Sequence, residues 1–458
     1  MTLDRFAPYR LAPYRPAISG LVFTAIAAYC LPLSAAPEVP GKPQTRPVAL
    51  IGATVHPVSG PAIENGVLVF DRGEIVAVGN AKTKIPENAE RLDLQGKHVY
   101  PGLFDAYTNM GLVEINAVRA TRDEAETGRI NPNASARVAV NPDSELIPVT
   151  RSNGVLLTLT APSGSLLAGR SSVLQLDGWT YEDMTLQSDV ALHIVWPRMS
   201  AVADAAKKGA QQGNSRDKAV EQLRQAFDDA RAYRLARQAD EDYPLDARWE
   251  SMLPVLDGAL PLLVVADESQ QIQAAVAFAE QQKCRMILYG GYDAPRQAEL
   301  LKQHDVPVIV GGVYRLPERR DDAYDAAYTV PQRLQAAGVK FCISGAGRFG
   351  ASNVRNLPYH AATAAAYGLS EEDALKSITL YPAEILGVAD RVGSLEVGKQ
   401  ATLIVTDGDP LETPTQTEAA FIQGRRVELL DRHKRLWRKY QEKYRRLEAV
   451  GGKGEGDD

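Results

Sequence analysis

The residues best placed to do chemistry stand at the end of an apolar run, residues 99–109, which closes with Tyr107 and Asn109. Alternate residues of a β-strand point to the same face, so these two have the spacing that a pair of metal ligands on one strand needs. Their side chains, however, are not of the types that bind such a metal. A phenol and a carboxamide cannot replace two imidazoles as ligands of a borderline-soft ion such as zinc. By residue type, therefore, this pair does not predict a zinc site.

Three carboxylates lie at or near the ends of apolar runs, namely Asp105, Asp267 and Asp293. Carboxylates in such positions can act as a metal-free acid and base, or can bind a divalent ion. Ordinary surface carboxylates explain the same three residues without any catalysis. No Ser-His-Asp or Cys-His arrangement can be assembled from the sequence with any specificity. These three residues are therefore the catalytic candidates.

A segment rich in glycine and serine, residues 161–172, follows the apolar run 154–159 and carries Arg170 and Ser171. The planar guanidinium of Arg170 is suited to binding a carboxylate of a ligand. The alternative is a flexible rim loop with a surface arginine. The candidates for substrate binding are Arg170, Ser171, Tyr107, Asn109 and Tyr289.

Short apolar runs alternate with helical stretches through the middle of the chain, which indicates a parallel α/β sheet. Over this length a (β/α)8 TIM-like barrel is the leading architecture, and we place it at residues 101–390 with a helical insertion at about 200–250. β-like segments at 49–100 and 391–430 flank the barrel. They are expected to form one small β-sandwich domain from both ends of the chain.

Three stretches of the sequence carry a resemblance to a known family. Residues 99–109 resemble the first barrel strand of the amidohydrolase superfamily, in which Pro-Gly and an aspartate precede a His-x-His pair. Residues 356–375 resemble the helix pair after the last barrel strand of imidazolonepropionase-like members, and residues 380–405 resemble their return into the small sandwich. The resemblance implies a barrel with a metal-bound hydroxide at its C-terminal mouth.

The same resemblance locates the metal ligands of the family, which are histidines on the first, fifth and sixth strands and an aspartate on the eighth. In this chain those positions are occupied by Tyr107, Asn109, Val265, Tyr289 and Ala346. The sequence therefore predicts that this barrel does not make a metal hydroxide in the ordinary way. Among the six histidines, only His193 is expected near the barrel, as a buried side chain with its hydrogen bonds satisfied.

The N-terminal 36 residues have the layout of a secretory signal peptide. Arginines precede an apolar stretch from about residue 18 to 33, and small residues follow at 34–36. This layout predicts cleavage near residue 36 and an exported, periplasmic or extracellular protein. A membrane anchor is the alternative, but the apolar run is shorter than the ~20 residues of a spanning helix. Residues 37–48 are rich in proline and are expected to form a linker.

The C-terminal segment, residues 431–458, is predicted to form a helix and a tail. Basic residues surround Leu436, Trp437, Tyr440 and Tyr444 over residues 431–447. One interpretation is a basic amphipathic arm for a partner or a membrane. The other, which we expect, is a terminal helix that packs its aromatic stripe on the body of the protein and leaves its charges in solvent.

Two functions are consistent with these features. The first is an exported amidohydrolase-like protein without a metal centre, acting as a noncatalytic pseudoenzyme or as the partner subunit of an active homologue. The second is a working hydrolase of C–N bonds in a cyclic amide or dipeptide-like compound, acting through a site other than the family's. No cofactor is expected, except a divalent metal such as zinc in the second case. A homo-oligomer and a small-molecule ligand fit either function, whereas the net charge of −6 suggests no nucleic-acid partner, and no stable membrane span is expected after signal cleavage.

Overall fold

The structure is a computed structural model that describes residues 39–199, 209–345 and 347–451. The predicted signal peptide lies outside the described residues, and so does Ala346, the residue aligned with the family's eighth-strand aspartate. In the part of the chain that is described, no helix combines the length and the apolar character needed to cross a bilayer.

The secondary structure alternates strands and helices along the described chain. The strands are β1 (Val48–Val55), β2 (Ile63–Asp71), β3 (Glu74–Gly79), β4 (Glu90–Asp93), β5 (His98–Pro101), β6 (Leu103–Thr108), β7 (Val155–Thr160), β8 (Leu167–Gln175), β9 (Thr185–Val195), β10 (Leu262–Ala266), β11 (Met286–Gly290), β12 (Val308–Val310), β13 (Phe341–Ile343), β14 (Leu403–Thr406), β15 (Thr417–Ile422) and β16 (Arg425–Val427). The α-helices are α1 (Leu146–Arg151), α2 (Tyr181–Met184), α3 (Gly209–Ala239), α4 (Ala247–Glu250), α5 (Leu253–Leu256), α6 (Ser269–Gln282), α7 (Ala298–Gln303), α8 (Val330–Ala337), α9 (Leu357–Ala366), α10 (Glu371–Lys376), α11 (Leu380–Ile385) and α12 (Arg432–Gly451).

Strands β6 to β13 form one eight-stranded sheet in sequence order, which is the predicted TIM-like barrel. The outer strands β6 and β13 are joined across the closing seam by side-chain hydrogen bonds. The Ser344 hydroxyl and the Gly345 N–H donate to the two carboxylate oxygens of Asp105, at 2.8 and 3.0 Å. Strands β10 and β11 are almost entirely buried, as their continuous apolar sequences predict.

The third barrel strand departs from the expected pattern. β8 pairs antiparallel with both β7 and β9, so two hairpins replace the crossover helices of a regular barrel. The prediction of a rim loop at residues 161–172 is therefore wrong from Leu167 onward. The composition hid this strand, since Gly169 and two serines have low strand propensity. Gly169 adopts φ +123°, and a Cβ there would lie 2.6 Å from the carbonyl oxygen of Ala134.

The two ends of the chain build a second sheet, with strands in the order β16-β15-β14-β5-β1-β2-β3 and β4 beside β1. Strand β14 pairs antiparallel with β5, which brings residues 403–406 from the C-terminal part onto the N-terminal segment. The predicted domain from both chain ends is confirmed, and its strands are hydrogen-bonded in one continuous sheet.

A buried ion pair joins Arg151 to Asp177 at 2.9 Å. Arg425 of β16 approaches the same carboxylate.

The barrel separates two apolar layers. Side chains inside the barrel include Phe104, Leu159, Leu263, Ile287 and Ile309, and residues from α11 and the segment after it close this interior at the N-terminal end of the strands. A larger core lies between the outer face of the barrel and its helices. The C-terminal ends of the strands, where the polar candidates stand, remain as the mouth.

The C-terminal helix α12 differs from the expectation. The side chains of Trp437, Tyr440 and Tyr444 are exposed, so the predicted packing of an aromatic stripe on the body of the protein is wrong. The charged first turn is attached instead, through Arg435, whose guanidinium donates to Glu145 at 3.1 Å.

Candidate functional site

A β-bulge in the first barrel strand directs Tyr107 into the mouth. Asp105 pairs with Thr158 and Thr108 pairs with Thr160, so β6 has one residue more than β7 between these pairs. Such an extra residue changes the face to which the following side chain points. The Asp105 carboxylate holds the bulge, because it accepts from the Tyr107 N–H at 3.1 Å as well as from the residues after β13. Full burial raises the pKa of Asp105 to about 6.

Two tyrosines fill the centre of the mouth. The rings of Tyr107 and Tyr289 stack with centroids 3.6 Å apart and planes 13° apart. Burial raises the pKa of both phenols, so both are neutral near pH 7. Below them lies the apolar interior of the barrel, which includes Leu263 and Ile287. The stack therefore forms an aromatic plug over an apolar floor.

His193 lies beside this plug on β9. Its ring centroid is 5.7 Å from that of Tyr107, and the side chain is only 1% exposed. Neither ring nitrogen has a hydrogen-bond partner among the described residues. Burial lowers the pKa of His193 to about 3, so the imidazole is neutral at ordinary pH. The predicted burial is confirmed, but the expectation that its hydrogen bonds are satisfied is wrong.

Asn109 follows the end of β6, and its side chain forms hydrogen bonds to two loops. Its Nδ2 donates to Glu124 at 2.9 Å, and its Oδ1 accepts from the Ala351 N–H at 2.7 Å. Arg122 donates to the same glutamate at 3.0 Å. Gly350 has φ +55°, and a Cβ at this position would collide with the Asn109 side chain. The Asn109 side chain thus holds these loops by hydrogen bonds, at a position where the resemblance implies a metal ligand.

A small polar cleft of about 270 Å³ opens above these residues. It is lined by Tyr107, Thr108, Asn109, Asn116, Arg122, Glu124, Ala161, Ser163, Tyr289 and Gly350. Three of the five substrate-binding candidates, Tyr107, Asn109 and Tyr289, therefore share one cleft. A larger cavity of about 730 Å³ lies at the N-terminal ends of β10 to β13, away from the end of a barrel at which this fold carries its chemistry.

The other two binding candidates are not in this lining. Arg170 lies on β8, where its guanidinium donates to Asp189 at 2.7 Å. Ser171 is fully buried on the same strand, and its hydroxyl has no hydrogen-bond partner among the described residues. Arg170 is therefore held by a carboxylate of the protein itself, which leaves it less able to bind one from a ligand.

Two of the catalytic candidates are held in ion pairs at the edge of the mouth. Asp267 accepts from Arg315 at 2.8 Å, and Asp293 accepts from Arg319 and from the N–H of Ser269 at 3.0 Å. Residues 315–319 belong to the segment after β12, far from both aspartates in sequence. No signal in a single sequence pairs Arg315 and Arg319 with them, and these two arginines were not among the sequence candidates.

Comparison with known proteins identifies a family model and a relative with similar sequences. Residues 277–427 match the model of the amidohydrolase family. This part of the chain is therefore similar to the amidohydrolase family. The chain is also similar to amidohydrolase tasK of Hapsidospora irregularis, with 23% identity over 432 residues, which cover 84% of this chain and 43% of that protein. The chain thus spans less than half the length of this curated relative.

Solved structures support the fold assignment. An amidohydrolase from Thermotoga maritima MSB8 matches with a TM-score of 0.75 and 24% identity, over 83% of this chain and 99% of that one. A prolidase complexed with N-methylphosphonate-L-proline matches with a TM-score of 0.52 and 18% identity, over the same shares of the two chains. At these identities the likeness concerns the fold alone.

The polar side chains at the mouth of this barrel do not fit a catalytic zinc. Zinc in an enzyme is held by about three nitrogen, sulfur or carboxylate ligands that converge on one point. Among the described residues no group of three or more His, Cys, Asp or Glu side chains converges in this way. The positions that the sequence resemblance assigns to the family ligands carry two neutral phenols, an amide already hydrogen-bonded to Glu124 and Ala351, and the apolar Val265.

Proposed function

We propose that this chain is a noncatalytic amidohydrolase that has exchanged its metal centre for an aromatic plug. The Tyr107–Tyr289 stack carries the proposal. Two rings at 3.6 Å are in van der Waals contact and leave no room between them for an ion and its water. The neutral state of both phenols also removes the anionic oxygen that a tyrosine would need to bind a metal.

The arrangement of the carboxylates argues against the alternative of a hydrolase with a different site. Asp105 is fully buried and accepts three hydrogen bonds from the protein, so it has no contact with a substrate water. Asp267 and Asp293 are ion-paired with Arg315 and Arg319. A general base must reach the proton that it removes, and these carboxylates are already occupied.

Binding is the task that this mouth can still perform. The cleft of about 270 Å³ offers the phenols of Tyr107 and Tyr289 and the polar groups of Asn116 and Ser163 to a small ligand. A protein that keeps an enzyme fold without its chemistry commonly keeps an interface, so we infer that an active amidohydrolase is the partner and that this chain is its noncatalytic subunit. We also propose that both proteins are exported, because residues 1–36 have the layout of a signal peptide.

Metal content is the decisive measurement. The purified full chain is dialysed with and without added Zn²⁺ or Mn²⁺ and analysed by elemental mass spectrometry, beside an active zinc-dependent amidohydrolase treated identically. We expect far less than one ion per chain and a melting temperature unchanged by a chelator. Near-stoichiometric metal that survives dialysis and whose removal lowers the melting temperature would overturn the proposal.

The subunit role needs a separate experiment. The tagged full chain is mixed with the active amidohydrolases encoded in the same genome, and complexes are sought by size-exclusion chromatography with light scattering. We expect a hetero-oligomer whose hydrolase component gains activity or stability. Absence of a complex with every such enzyme would reject the subunit role and leave only ligand binding in the cleft.

A further inference from the structure

Among its described side chains, the C-terminal helix α12 contacts the body of the protein through its first turn. The Asp431 carboxylate accepts from the N–H of Lys434 at 2.9 Å, and the Lys434 ammonium donates to the carbonyl of Leu429 at 3.0 Å. Arg435 pairs with Glu145. After Arg435, each described side chain up to residue 448 is exposed, except for the partly buried Glu442. More than three turns of helix therefore project from the protein.

The projecting turns carry an apolar stripe. At about 100° per residue, positions i, i+1, i+4, i+8 and i+11 fall within roughly 100° of the helix circumference. These positions are Leu436, Trp437, Tyr440, Tyr444 and Leu447. Trp437 is 61% exposed and Tyr444 is 59% exposed, so the stripe is open to solvent. Large apolar groups aligned in this way indicate a surface that is covered in the working protein.

Positive charge flanks the stripe on both sides. Residues 432–448 contain eight lysines and arginines and two glutamates, in a chain whose net charge is −6. Lys439 and Lys443 lie along one edge of the stripe, and Lys434 lies toward the other. The Lys443 ammonium is 5.8 Å from the ring centroids of both Tyr440 and Tyr444, so it sits over the aromatic surface itself.

We propose that α12 binds the surface of an anionic lipid bilayer, with its axis parallel to the membrane plane. A helix with lysine and arginine on its polar face and Trp and Leu on the other has the composition of interfacial helices. Tyrosine and tryptophan suit the headgroup region, because each combines an apolar ring with a polar tip. Clustered cations are attracted to the negative headgroups of such a membrane.

The same charges argue against the other occupants of the stripe. Two copies of α12 packed on each other would bring two strongly positive helices together, which Coulomb repulsion opposes. A nucleic acid would satisfy the cations, but its phosphates would leave the leucines at 436 and 447 uncovered. A surface that is anionic and apolar just beneath its charges matches both the cations and the apolar stripe of the helix.

Vesicle co-sedimentation of the full chain tests the proposal. We use vesicles of phosphatidylcholine with and without about a third phosphatidylglycerol, at about 0.1 and 0.5 M salt. Over this range the Debye length falls about twofold. We expect binding to the anionic vesicles that weakens at least tenfold at the higher salt, and little binding to the neutral ones. Trp437 fluorescence should shift to the blue on binding.

Matched variants distinguish binding through the apolar stripe from nonspecific binding through any exposed aromatic side chain. Trp437→Ala should weaken binding by about tenfold, whereas Trp179→Ala, which removes a tryptophan that is 66% exposed elsewhere, should leave it unchanged. The pair Lys439→Glu and Lys443→Glu, at the edge of the stripe, should weaken binding more than Arg438→Glu and Arg445→Glu, which face away from it.

Several results would overturn the proposal. These are equal binding to neutral and anionic vesicles, equal loss in the two tryptophan variants, and no binding at the lower salt. Salt-dependent binding of single-stranded DNA in place of vesicles would assign the helix to a polyanion instead. Concentration-dependent dimerisation in sedimentation velocity that Trp437→Ala abolishes would assign the stripe to a second copy of the chain.

Discussion

Tyr107 and Tyr289 stand on β6 and β11, which are not neighbours in the sheet, yet their rings stack across the mouth at 3.6 Å. The bulge after Asp105 makes this contact possible, because it directs Tyr107 toward the interior. Three consequences follow from one extra strand residue. The mouth is filled, the two phenols are desolvated, and His193 is enclosed beside them.

The stack should contribute measurably to stability. Tyr107→Ala removes a ring that contacts Tyr289 and His193, and we expect a loss of about 3 kcal/mol in the free energy of unfolding. Tyr107→Phe keeps the ring and should cost less than about 1 kcal/mol. Urea unfolding of the two variants measures the difference. Equal stability of the Ala and Phe variants would show that the rings do not support each other.

The sequence predicts the barrel strands well where the chain is apolar on both faces. The run 262–266 is β10 as predicted, and the run 285–289 differs from β11 by one residue at each end. A strand buried on both sides needs continuous apolar residues, so local sequence and final structure agree there. The helix predicted at 270–281 is α6 for the same kind of reason, since its apolar side chains repeat with helical spacing.

The candidate site was less predictable, because it depends on contacts between distant residues. Strand β8 forms from a glycine- and serine-rich segment because β7 and β9 would otherwise leave backbone groups unpaired. The ion pairs of Arg315 and Arg319 join residues 48 and 26 positions apart. Alternation along a strand predicts which side chains share a face, but it cannot reveal the bulge that redirects Tyr107.

Asp105 should make the protein more stable in mild acid. Its pKa is raised from an unfolded value near 3.8 to about 6 by burial, so the folded state binds the proton more tightly. Its contribution is therefore present below pH 3.8 and is lost as the pH rises through 6. Between pH 7 and 4.5 we expect Asp105 to add about 2 kcal/mol to the free energy of unfolding.

The Asp105→Asn variant isolates this effect from other titrating groups. It should be less stable than the parent protein at both pH values, because one acceptor oxygen for Ser344 or Gly345 is lost. The gain on acidification should also be smaller by about 2 kcal/mol. The same dependence on pH in parent and variant, measured by urea unfolding, would mean that Asp105 does not titrate in this range.

His193 should make the protein less stable as the pH falls, which is the opposite of the effect expected for Asp105. Burial lowers its pKa from 6.5 to about 3, so the unfolded chain takes up the proton first and stability falls as the pH falls below 6.5. His193→Leu removes this term and replaces an unpartnered imidazole by an apolar side chain. We expect the variant to be at least as stable as the parent at pH 7.5 and to gain about 2 kcal/mol relative to it by pH 5.

Loss of stability in the His193→Leu variant at pH 7.5 would indicate instead that the imidazole makes hydrogen bonds that matter. His360→Leu is the matched control. Burial lowers the pKa of His360 to about 4, but its Nδ1 accepts from the N–H of Val313 at 3.1 Å. Removing a partnered imidazole leaves that buried donor without its acceptor, so this variant should lose about 1–3 kcal/mol at neutral pH.

The ion pair between Arg151 and Asp177 should be costly to break, because both side chains are almost fully buried. Arg151→Met leaves the Asp177 carboxylate with Arg425 at 3.6 Å and the Gly41 N–H at 3.1 Å, which compensate for only part of its charge. We expect a loss of about 3 kcal/mol in the free energy of unfolding. Arg46→Met, which breaks an exposed ion pair with Glu90, should cost less than about 1 kcal/mol. If urea unfolding gave the same small loss for both, the stability of the fold would not depend on this buried pair.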